Sequence, residues 1–269
     1  MLRDFAEKLK LIFLPQTPLI IIMLFFVIGS IYANKLGFKA ISRVNLMITI
    51  ALFISIIVMF AGTLSMMDAN RIFPIFGNGI KETFMIEYSN LYAFIGIAYL
   101  YFIKPFLSKQ ENINKIAFIG TIISTIYLFI CILTCILVLP TKIILDNSFP
   151  IYFISNLASL GSFFSRIESL FVFLWILGVI SYISISMFFT LYIWGEISNM
   201  KDVKGLRYYL GLIVLWLALI PESFEQNNYL TNIFQFVIVL VVFVLSFGII
   251  SLAYLKQRKK KEEINETNS

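Results

Sequence analysis

The sequence contains no histidine, and that absence closes off more chemistry than any other feature of its composition. Histidine is the commonest general base at neutral pH and a frequent metal ligand, so its loss argues against many membrane-embedded hydrolases and acyltransferases. Cysteine is nearly as scarce. Cys131 and Cys135 lie one helical turn apart in an apolar run, and there are no others. Small apolar packing residues are the plain reading of such a pair, and a redox or metal pair is the other. Charge is the third shortage. Charged residues make up 13% of the chain, against about 25% in a soluble domain, which leaves too little polar surface for one. What fills the space is apolar: 60% of residues are hydrophobic and the mean hydropathy is +0.92. The chain reads as an all-α integral membrane protein without a separate soluble domain.

A bilayer core takes about 20 apolar residues as a helix. Uncharged runs occur at Leu11–Asn34, Val44–Met67, Tyr88–Ile103, Ile116–Thr141, Ser169–Gly195, Tyr208–Pro221 and Gln226–Leu255, which predicts about seven spans. Tyr88–Ile103 and Tyr208–Pro221 are short, and short or broken spans line sites in transporters. A further apolar piece, Phe149–Phe164, carries Pro150, Asn156 and Gly161 and reads as a re-entrant or interfacial helix. One transmembrane helical domain over residues 1–255 and a basic-to-polar tail over 256–269 complete the expected organisation.

Orientation follows from lysine and arginine in the loops. The side that holds the N-terminus carries Arg3, Lys8, Lys10, Arg71, Lys81, Lys142 and Arg166. The other side carries twice as many, including the run from Lys256 to Lys261. The tail is therefore expected in the cytoplasm and the N-terminus outside. Residues 1–10 look like a loop or helix end and not like a signal peptide.

Four stretches then carry a resemblance: "LPQTPLIIIMLFF" at Leu14–Phe26, "GFKAISRVN" at Gly37–Asn45, "FPIFGNGI" at Phe73–Ile80 and "FFSRIESLFVFLWILG" at Phe163–Gly178. In order and spacing they resemble the B subunits of bacterial spore germinant receptors, which are related to the amino acid–polyamine–organocation transporters. The resemblance implies a ten-helix inverted-repeat fold with both ends inside. Seven spans beginning outside are what remains of it if the first three are missing. It also implies a spore inner-membrane location, partner subunits of the A and C types, and a small nutrient ligand, an amino acid for choice. A solute permease of the same fold is the alternative. No catalytic residue, cofactor, metal or nucleic acid is expected.

Within that frame, Ser89, Tyr92, Gly96 and Tyr99 fall at α-helical spacing on one face of the Tyr88–Ile103 run. In the resembling transporters this span is interrupted near the midplane and holds the ligand, which makes these four the candidate ligand-binding residues. Helix packing, with Gly96 admitting a close neighbour, is the competing reading. Arg166 and Glu168 stand at the lip of the long run that begins at Ser169. Two positions apart, they point in different directions on a helix, so they are either separate interface anchors or the wall of an external vestibule. Pro74, Gly77 and Gly79 suit a tight extracellular turn. The basic tail is expected to meet anionic lipid headgroups.

Overall fold

The computed structural model describes residues 1–75, 77, 79, 81, 87–107, 113–147, 149–158, 167–200 and 202–267. Among these, all regular structure is helical. Five helices among the described residues are long and apolar enough to cross a membrane: α2 (Leu19–Leu36), α3 (Phe38–Gly62), α5 (Ile113–Val138), α8 (Ile167–Ile197) and α10 (Phe224–Thr267). The shorter helices are α1 (Leu2–Ile12), α4 (Leu100–Ile103), α6 (Thr141–Asp146), α7 (Pro150–Leu157) and α9 (Leu206–Leu219). A 3-10 helix, Glu87–Tyr99, runs directly into α4. The chain forms two compact units, Met1–Gly77 with Phe118–Asn228 and Asn78–Ala117 with Tyr229–Ser269.

The first span begins later than the uncharged run suggested. Pro15 and Pro18 cannot donate to a helical ladder, so the chain breaks after Ile12 and resumes at Leu19. The residues before the break are no loop. They form α1, which buries Leu2, Ala6 and Leu9 on one face. At the other end of α2 a single residue, Gly37, separates it from α3. Its φ of +86° is a conformation that glycine enters without steric cost, which allows the chain to stop one helix and start the next at once. Lys39 and Arg43 consequently ride on α3.

The first unit has two cores. Leu2, Ala6 and Leu9 of α1, Met23 and Phe26 of α2, and Phe171, Val179 and Met187 of α8 build one. Ile56 and Met59 of α3, Cys131 and Cys135 of α5, and Ile154 of α7 build the other, with both cysteines as free thiols. Small residues and polar contacts set the helix spacing, as expected where lipid removes any hydrophobic drive between helices. The Asn34 amide donates to Ser30 O at 2.9 Å and to Ser184 O at 3.0 Å, which ties α2 to α8. Gly211 of α9 lies so close to α2 that a Cβ there would sit 2.6 Å from Ile31 Cδ1 and 3.2 Å from Val27 Cγ1.

Three arginines cap helix C-termini, where orphan carbonyls and the helix dipole attract cations. Arg71 donates to Leu137 O and Val138 O at the end of α5. Arg207 reaches Asn34 O in the last turn of α2 at 3.5 Å, and Arg3 reaches Ala218 O near the end of α9 at 3.4 Å. The expected short pieces are short. α9, at 14 residues, measures about 21 Å against a hydrocarbon core of about 30 Å. α7, at 8 residues, is about 12 Å and does not span. α10 continues as one helix to Thr267 and takes in the basic run.

Candidate functional site

A cleft of 1110 Å³ opens in the first unit where helices stop and start. Its walls come from the last turns of α1 (Lys8, Lys10, Leu11, Ile12), Leu19 at the head of α2, Asp146 and Asn147 at the end of α6, and Phe149, Tyr152 and Phe153 at the start of α7. Glu222, between α9 and α10, and Phe224, the first residue of α10, close it.

The cleft's geometry depends on how α1 is fixed. Glu7 accepts from Arg3 Nε at 2.7 Å on one carboxylate oxygen. Its other oxygen accepts from the Asn227 amide at 3.2 Å. The side chains of Arg3 and Glu7 are only 10% and 12% exposed, so each depends on the other for its counter-charge. Lys8 pairs with Asp4 at 3.1 Å and stands 5.8 Å above the Phe149 ring. Aromatic contacts continue below: Phe149 lies 4.7 Å from Trp175, and Trp175 lies 5.2 Å from Phe5, between ring centroids. The three remaining charges of the lining, Lys10, Asp146 and Glu222, have no side-chain hydrogen bond or ion pair among the described residues.

In the sequence Arg3, Lys8 and Lys10 read as charges that set orientation, and Glu7, Asp146 and Glu222 belong to no motif. The missed signal is the spacing of Leu2, Ala6 and Leu9, which is helical and leaves Arg3, Glu7, Lys8 and Lys10 to flank the buried stripe.

The residues singled out from the sequence fall elsewhere. Ser89, Tyr92, Gly96 and Tyr99 lie in the second unit, on the segment wound as a 3-10 helix. At three residues per turn, Ser89 and Tyr92 keep one row while Gly96 and Tyr99 fall on a row about 120° away, so the single α-helical face is replaced by two. Tyr92 and Tyr99 are half-buried and Gly96 is exposed. A Cβ at Gly96 would meet nothing within 4 Å, so no neighbour among the described residues uses that glycine for close packing. Just beyond, the Tyr101 hydroxyl lies 2.8 Å from Ser246 Oγ on α10.

Arg166 lies outside the described residues. Glu168 is half-buried in the first turn of α8, where a carboxylate suits the helix dipole. In the loop after α3, Gly77 N–H donates to Pro74 O at 3.0 Å, the bond of a four-residue turn. Gly77 and Gly79 take φ of +50° and +132°, in the region that favours glycine.

Comparison with known proteins gives a consistent result. A family profile described as "Spore germination protein" matches residues 1–229. Spore germination protein KB of Bacillus subtilis (strain 168) is 24% identical over 234 residues, covering 84% of this chain and 62% of the relative. Spore germination protein A2 of the same organism is 24% identical over 268 residues, covering 95% of this chain and 70% of the relative. The chain thus spans about two thirds of the length of these relatives. No solved structure matches it.

Proposed function

The chain belongs to the spore germination protein family, a multi-pass helical membrane family, and on that footing we propose that it is the membrane subunit of a spore germinant receptor. In this reading it senses a small nutrient, an amino acid for choice, and passes the signal to A- and C-type subunits beside it in the spore inner membrane. The observation that carries the reading is the segment Glu87–Tyr99. It departs from α geometry in a long apolar run, and Gly96 within it stands open. Extended 3-10 winding is uncommon, and a stretch of it within a helix often marks a functional hinge. Ser89, Tyr92, Gly96 and Tyr99 are the proposed contacts. The excess of lysine and arginine on the tail side supports a cytoplasmic C-terminus, and the basic run Lys256–Lys261 suits anionic headgroups there.

The sequence offers no clear intramembrane carboxylate for proton coupling, which favours sensing over active transport. Two measurements test the assignment together. Spores lacking the chain should lose their response to a nutrient, and vesicles containing it should not accumulate labelled amino acids. Accumulation would make the chain a permease of the same fold instead.

A further inference from the structure

We infer that the cleft at the helix ends of the first unit seats the headgroup of a zwitterionic, ethanolamine-type phospholipid, and is separate from the segment proposed for the nutrient. Position gives the first argument. Leu19 heads the span α2 and Phe224 heads the span α10 in the lining, and the ends of apolar spans lie at headgroup depth. Leu11, in the lining, is 77% exposed, and Leu145, next to the lining residue Asp146, is 80% exposed. Such side chains at that depth suit the first carbons of acyl chains.

Charge gives the second argument. Arg3 and Glu7 neutralise each other, and Lys8 pairs with Asp4. What is left is one cation, Lys10, and two anions, Asp146 and Glu222. A phosphodiester takes Lys10 and the N–H groups that Lys8 has left over, while a primary ammonium takes the two carboxylates. A glycerol headgroup would leave both carboxylates without a cation. A choline headgroup has no N–H to donate. Size agrees: 1110 Å³ exceeds the roughly 300–1,000 Å³ of small-molecule pockets, and it accommodates a headgroup with the start of its chains.

The test uses the whole chain in detergent, titrated with dihexanoyl phosphatidylethanolamine, the corresponding phosphatidylglycerol and phosphatidylcholine, O-phosphoethanolamine and glycine. The ethanolamine lipid should bind about tenfold more tightly than the glycerol lipid, since its ammonium adds charge-assisted hydrogen bonds. The double variant Asp146→Asn, Glu222→Gln should lose that preference, and Lys10→Gln should weaken both lipids. None of these three side chains has a partner to lose among the described residues, so thermal unfolding without lipid should stay unchanged and report intact folding. Equal binding of the lipids, no binding, or a preference that survives the double variant would overturn the inference. Equally tight binding of O-phosphoethanolamine or glycine would also overturn it, by giving the cleft to a free solute.

Discussion

Glu7 and Asn227 meet across the fold, the Asn227 amide donating to one Glu7 oxygen at 3.2 Å while Arg3 holds the other at 2.7 Å. With the Arg3 bond to Ala218 O, these contacts anchor α1 to the end of α9 and the start of α10. Truncating Glu7 to Ala would strand a buried guanidinium, at a cost of about 3–5 kcal/mol. Asn227→Ala removes a single hydrogen bond and should cost about 1 kcal/mol. Because both act through one carboxylate, the double variant should cost less than their sum. Denaturant unfolding in detergent measures all three.

The contact of α9 with α2 makes a second prediction. Gly211→Ala drives its methyl into Ile31 and Val27 and should destabilise by about 1–3 kcal/mol. Ile31→Val removes the nearest clashing atom, so the pair should cost less than Gly211→Ala and Ile31→Val added together. Additive effects would mean that the close approach of the two helices does not set the spacing.

Orientation can be read with thiol reagents, because the native Cys131 and Cys135 are buried. A cysteine at the exposed Asn70, between α3 and the 3-10 segment, should react with an impermeant reagent from outside. One at the exposed Ser198, between α8 and α9, should not. The reverse pattern would contradict the cytoplasmic placement of the tail.

Much of the fold is legible in the sequence because lipid enforces it. A run such as Ser169–Gly195 has one stable form in a bilayer, and α8 takes it with a few residues added at each end. The short runs announce themselves by length alone, and α9 and α7 stay short. Legibility fails where local chemistry outranks hydropathy. Pro15 and Pro18 delay the first span to Leu19, a correction hydropathy cannot make because Leu11–Leu14 are as apolar as Leu19–Leu24. The 3-10 winding of Glu87–Tyr99 shifts Gly96 and Tyr99 off the row of Ser89 and Tyr92, and spacing alone cannot choose between helix types. The cleft is hidden for a different reason. Its charges come from segments far apart in the chain, such as Lys10, Asp146 and Glu222, and only the folded first unit brings them into one lining.

The proposal that this chain senses a nutrient through its 3-10 segment is tested most directly at Tyr92 and Tyr99. Spores carrying Tyr92→Phe and Tyr99→Phe are compared with the parent in a germination dose–response, with the amount of the protein measured alongside. Loss of a hydroxyl contact costs about 0.5–1.5 kcal/mol, so the half-maximal nutrient concentration should rise by up to roughly tenfold at unchanged protein level. An unchanged dose–response, or one that shifts only as protein level falls, would contradict the account and leave these tyrosines as packing residues.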